Sequence, residues 1–95
     1  MKKKTVVIVF ETYDRGKYYF EDYILPLIGE VDTITRYQYE NENIKVFIKS
    51  LKQPNNLIGL YADFVILENN NNIDFFENII MPIVKYDRSK INVVL

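Results

Sequence analysis

The 95-residue chain predicts a single α/β domain spanning residues 1–95, with four mainly parallel strands and about three helices. Three observations point there. Two short runs, Thr5 to Glu11 and Ala62 to Glu68, are apolar at nearly every position, the pattern of strands covered on both faces. Each is followed by apolar residues at helical spacing, and alternation of strand with helix is the mark of an α/β sheet. The two strand–helix pairs also repeat. Phe20-Glu21-Asp22-Tyr23-Ile24-Leu25-Pro26 lies over Phe76-Glu77-Asn78-Ile79-Ile80-Met81-Pro82, with identities at Phe, Glu, Ile and Pro.

Taken in order, Thr12 to Gly16 breaks the first strand, and a helix from Lys17 turns Phe20, Tyr23, Ile24, Leu27 and Ile28 to a core, with Gly29 as its stop. Asp32 to Tyr39 alternates loosely and is polar, so it reads as one edge strand. A helical connector over residues 40–61 joins the halves 5–39 and 62–95; Asn43 caps its helix, whose stripe is Ile44, Phe47, Ile48 and Leu51, and Pro54-Asn55-Asn56 turns the chain. Asn69 to Asn72 form a loop and a cap. A third helix runs from about Ile73 to Tyr86 with its stripe at Phe76, Ile79, Ile80, Ile83 and Val84, and Lys90 to Leu95 is the last strand. Pro26 and Pro82 fall inside helical patterns, where each removes a donor and frees the carbonyl four residues earlier, that of Asp22 or Asn78. A bend with the convex side outward follows.

Right-handed crossovers then give the strand order 2-1-3-4, a truncated flavodoxin-like or Rossmann-like layout; a ferredoxin-like pair of βαβ units is the alternative. Three helices cannot cover both faces of such a sheet equally, so one face or edge is expected to stay open, and an open apolar face marks a partner or self-association.

Composition removes most chemistry. With no Cys and no His there is no thiolate nucleophile, disulfide, Cys-based zinc site or imidazole base, which leaves carboxylates, lysines and tyrosines. A protein that is not an enzyme is the simpler expectation, and no cofactor is indicated. A net charge of −1 argues against a dedicated nucleic-acid binder. Met1-Lys2-Lys3-Lys4 followed by a six-residue apolar run resembles the start of a signal peptide, but Glu11 ends the run too early for a leader or a membrane span. A cytoplasmic protein with a solvated lysine lead-in is expected. Richness in Asn, Ile, Lys, Tyr and Phe is what an AT-rich genome encodes, including that of a phage or another mobile element.

Two groups of residues are candidates for function. The first lies beyond the carboxyl ends of the strands, where open parallel sheets hold ligands. There Thr12, Arg15 and Lys17 suit an anion, Glu11, Asp14 and Glu68 suit a metal such as Mg²⁺, and Asn70 belongs to the facing loop. A small phosphorylated ligand or phosphate-ester hydrolysis would follow. The loop matches neither phosphate-binding glycine pattern and lacks the hydroxyl spacing of flavodoxins. A carboxylate ending the first strand and an acid ending a later one resemble Toprim and receiver domains, which need a second Asp where this chain has asparagine. The plainer reading is a solvated loop in which Asp14 caps the helix. The second group is Tyr13, Tyr18, Tyr19, Tyr37 and Tyr39 with Arg36, residue types favoured at protein interfaces, whose plainer reading is packing at the edge of the core. A protein partner or self-association is the leading expectation.

Overall fold

The computed structural model describes residues 3–95; the Met1 and Lys2 of the lysine lead-in lie outside the described residues. Strand β1 (Lys4–Phe10) leads into helix α1 (residues 13–28), a short hairpin of β2 (Asp32–Thr35) and β3 (Gln38–Glu40), and then β4 (Ile44–Ser50). A 3-10 turn (Pro54–Leu57) precedes β5 (Phe64–Glu68), helix α2 (residues 73–83), a second 3-10 turn (Arg88–Lys90) and β6 (Ile91–Val94).

The six strands form one mixed sheet in the order β2-β3-β4-β1-β5-β6. Strands β4, β1, β5 and β6 are parallel, and β3 pairs antiparallel with both β2 and β4. This corrects the expected four strands in order 2-1-3-4, and equally the ferredoxin-like alternative. The α/β class stands, and so do the two buried strands at the centre.

Two segments account for the difference. Residues 40–61 were expected as a helical connector, yet Ile44–Ser50 is a strand that lies directly beside β1. Ile44, Phe47, Ile48 and Leu51 fit helical spacing, but Val46 and Ile48 also alternate with Lys45 and Lys49, and the run contains three β-branched residues that favour a pleated surface. Val46 and Ile48 pack beneath α1, while Lys45 and Lys49 fall on the other face. The segment Asp32 to Tyr39 is two strands instead of one, because Arg36 and Tyr37 form the turn.

Helices α1 and α2 cover opposite faces, so there are two helices where about three were expected. Val6, Ile8, Phe10, Phe20, Tyr39, Val46, Ile48 and Ile66 form the core under α1; Val7, Val9, Leu57, Val65, Leu67, Ile80, Ile83 and Val84 form the core under α2. The period-2 alternation of β1 thus feeds both layers. Among the described residues no helix is long and apolar enough to cross a membrane.

The repeat seen in the sequence is a repeat in backbone geometry. Each helix opens as α-helix, widens into a π-helical turn (Phe20–Ile24 and Phe76–Ile80), and closes with an α-helical turn that starts just before its proline. Leu25 N–H donates to the Phe20 carbonyl and Met81 N–H to the Phe76 carbonyl, five residues back. The extra residue in the turn answers the expected clash between the proline ring and the carbonyl four residues earlier, so a widened turn stands where a simple bend was expected.

Candidate functional site

Helix α1 begins at Tyr13, earlier than the expected Lys17, and this changes the character of the first loop. Thr12 Oγ1 accepts from Arg15 N at 3.2 Å and the Thr12 carbonyl accepts from Gly16 N at 3.2 Å, so Thr12, where Asp14 was expected, is the cap. The Arg15 and Gly16 amides at this helix start are thereby occupied by Thr12's own oxygens. Arg15, Gly16 and Lys17 lie in the opening turns of the helix.

Strands β1 and β5 are neighbours, and their chains leave toward opposite faces, so the switch point of the sheet lies between Glu11 and Glu68. The predicted meeting of these two carboxylates is what the geometry gives. Glu68 Oε1 accepts from the Glu11 backbone N–H at 2.9 Å. Arg15 bridges the pair, donating to Glu11 Oε2 at 3.2 Å and to Glu68 Oε2. Glu68 is buried while Arg15 and Glu11 are about half exposed. The crevice is therefore filled by a guanidinium, which occupies the place a metal would take between the two acids. Ser50, whose hydroxyl donates to the Glu11 carbonyl at 2.7 Å, closes the floor from β4.

On the far side of α1 a second cluster forms. The rings of Tyr13 and Tyr37 stack with centroids 4.6 Å apart. Tyr37 Oη donates to Asp14 Oδ1 at 3.1 Å, and Tyr13 Oη donates to Gln53 Oε1 at 2.7 Å. Arg36 lies over the Tyr37 ring at 5.5 Å and within 3.9 Å of Asp14. The Tyr37 hydroxyl titrates above the usual tyrosine value because of partial desolvation, then its bond to Asp14, with Arg36 opposing. Gln53 and Asn56, which donates to the Tyr13 hydroxyl at 3.4 Å, belong to the site as well. Helical spacing over residues 44–51 gives no sign that Gln53 and the Asn56 of the turn reach Tyr13; that follows from β4 running beside β1.

The remaining tyrosines separate by burial. Tyr39 lies in the core, stacked on Phe20 at 4.6 Å with its hydroxyl on the Arg36 carbonyl at 2.8 Å. Tyr19 is half buried between Phe10 and Tyr23, and Tyr18 is exposed.

The asparagine loop is loop and cap, as expected. Asn72 Oδ1 accepts from Phe75 N at 3.0 Å, Asn70 Oδ1 from Asn72 N at 2.9 Å, and Asn71 takes the left-handed conformation that asparagine tolerates. With Leu67, Phe76, Arg88 and Val93 the loop lines a groove of about 370 Å³, and Arg88 covers the Phe76 ring at 5.1 Å. No protein-family model, no curated protein and no solved structure matches this chain.

Proposed function

We propose that this protein works by binding another protein through the Tyr13, Tyr37 and Arg36 cluster, as an accessory or inhibitory factor rather than as an enzyme. The single observation that carries this reading is the pre-ordered aromatic stack. Two tyrosines, each tied by a hydrogen bond from its hydroxyl, present ring area that loses little rotamer freedom on docking, and an exposed arginine lies on top of one. Tyrosine and arginine are, with tryptophan, the residues enriched among those that dominate binding energy in interfaces. The switch-point crevice supports the same reading from the other side, since Arg15 fills it from within. The composition of an AT-rich genome fits a phage or another mobile element as the source of such a factor.

The test uses the full chain as bait in its own host. A stoichiometric partner that is retained by the parent and lost with Arg36→Ala plus Tyr37→Ala, at a temperature well below the melting point of both forms and with the far-ultraviolet spectrum unchanged, is the expected result. Truncating two such residues should weaken binding by about 2 kcal/mol or more. Retention of the same partner by the double variant overturns the reading.

A second reading rests on the groove beside Asn69 to Asn72. Its apolar floor, amide-rich wall and Arg88 suit a small phosphorylated ligand. A nucleotide or sugar phosphate at a hundred times its dissociation constant would stabilise the fold by about 2.7 kcal/mol. No rise in melting temperature with such compounds removes it.

A further inference from the structure

The groove between α2 and the edge strand β6 has a polarity that narrows what it can hold. Leu67, Phe76 and Val93 give it apolar walls, and its polar groups come from opposite ends. Strands β5 and β6 are parallel, so Asn69 to Asn72, which follow β5, lie at the carboxyl end, whereas Arg88, which precedes β6, enters from the amino end.

The asparagines are committed on one side only. A backbone N–H needs an acceptor, which fixes the amide oxygens: Oδ1 of Asn69 accepts from Asn71 N at 3.2 Å, that of Asn70 from Asn72 N at 2.9 Å, and that of Asn72 from Phe75 N at 3.0 Å. Among the described residues the Nδ2 groups of these three meet no acceptor, so the loop's remaining capacity is weighted to donors. The first amides of α2 contribute nothing, since Asn72 already takes those of Phe75 and Phe76. At the other end Arg88 forms no ion pair among the described residues. The Phe76 ring backs its guanidinium at 5.1 Å, and the N–H fork is left for a phosphate or carboxylate.

The charge is low as well. Arg88 is the one charged residue that lines the groove, and with no Asp or Glu beside it there is no carboxylate to hold the Mg²⁺ that accompanies a polyphosphate. Asp74, next along α2, is exposed and opposes a highly charged anion. A volume of about 370 Å³ is at the small end of ligand sites, room for one nucleotide. The apolar walls suit a flat base better than the hydroxyls of a sugar. We infer that the ligand is a single nucleotide whose phosphate carries one negative charge, a phosphodiester of the 3′,5′-cyclic mononucleotide class. The base lies between Phe76 and Val93 with carbonyl oxygens toward the asparagine amides, and the phosphate lies on Arg88. This rests on the second reading of the function, a small phosphorylated ligand in this groove, and is independent of the Tyr13 and Tyr37 cluster.

Isothermal titration calorimetry of the full chain tests it with cyclic GMP and cyclic UMP, whose bases carry carbonyl edges, against GMP, GTP with and without Mg²⁺, and glucose 6-phosphate. A cyclic nucleotide is expected to bind at least about tenfold more tightly than GTP or the sugar phosphate, one charge-assisted hydrogen bond's worth of discrimination. Arg88→Gln should weaken it by a similar factor. Asn70→Asp should do the same, because it keeps the oxygen that receives the Asn72 amide while replacing donors with a negative charge; both variants should retain the parent's far-ultraviolet spectrum. GMP, GTP or glucose 6-phosphate binding as tightly as the cyclic nucleotides overturns the inference and leaves the broader reading standing. No binding by any of these compounds overturns both. Cyclic-nucleotide binding indifferent to Arg88→Gln and Asn70→Asp, or matched by a single-stranded oligouridylate, overturns the assignment to this groove.

Discussion

At Gly16 the absence of a side chain sets how closely α1 approaches the sheet. A Cβ there would come within 2.8 Å of Ile48 Cγ2, with Phe10 and Ile8 also in contact distance. Ile48 is buried and β-branched, so that methyl cannot swing aside. Gly16→Ala should therefore destabilise the fold by about 1–3 kcal/mol despite the better helix propensity of alanine. Ile48→Ala alone opens a cavity worth about 2–5 kcal/mol. Together the two should cost less than their sum, because the second removes the methyl that the first collides with; urea unfolding of all four members of the cycle measures the coupling. Strict additivity would mean that α1 does not rest on Ile48. At this scale the chain was partly readable. Glu11 and Glu68 were placed together from strand ends alone, since parallel neighbours end on the same side. Arg15 between them was not foreseen as a bridge, because its helix starts earlier than the apolar stripe suggests. Only the capping geometry of Thr12 fixes that start.

Between elements, the prolines show how a sequence repeat becomes a shape. Pro26 and Pro82 follow π-helical turns of equal length, and Phe20 and Phe76 open those turns with nearly the same dihedral angles. Three of the four identities shared by the two motifs, Phe, Ile and Pro, are the residues that open, close and follow the turn, and Glu lies within it, so the match was legible; that it encodes a widened turn was not, because proline spacing alone does not distinguish a bend from a π-bulge. The limits of periodicity show in β4. The same stretch carries an apolar set at i, i+3, i+4 and i+7 (Ile44, Phe47, Ile48, Leu51) and an alternating one (Ile44, Val46, Ile48), and the tie was broken by tertiary pairing with β1. Helix α2 ends in a Schellman motif, in which Tyr86 N–H donates to the Met81 carbonyl at 2.8 Å and Lys85 N–H to that of Pro82 at 3.1 Å. The αL position that motif requires is filled by Lys85 at φ 55° instead of the usual glycine. Lys85→Gly should raise stability by about 0.5–1 kcal/mol, a rise in melting temperature of about 4 °C by calorimetry. An unchanged or lowered melting temperature would show that this helix end does not hold the left-handed turn.

For the molecule as a whole, the sheet order places Tyr39 where two effects meet, and the response to pH follows. Strand β3 sets the ring under α1 against Phe20, with its hydroxyl bonded to the Arg36 carbonyl. Burial first, then the negative charge of Glu21, push its titration above the ordinary tyrosine value near 10, with Arg36 pulling the other way. A group that binds its proton more tightly when folded contributes stability that is complete below the unfolded value and lost as pH climbs through the folded one. Melting temperature should therefore fall as pH rises beyond about 10. At the acid end the sign reverses. Glu40, through its hydrogen bond from Lys3, and Asp87, through those from Ser89, titrate below the usual carboxylate range, so their contribution is present above the unfolded carboxylate values and fades as pH falls through the folded ones. Tyr39→Phe separates the alkaline limb from the rest. It keeps the stack on Phe20, gives up one hydrogen bond worth about 1 kcal/mol at neutral pH, and should flatten the alkaline fall. Ultraviolet titration of phenolate should lose a late-titrating hydroxyl in the same variant. If Tyr39→Phe leaves both the alkaline slope and the late phenolate signal as they were, Tyr39 is not the buried phenol that joins β3 to α1.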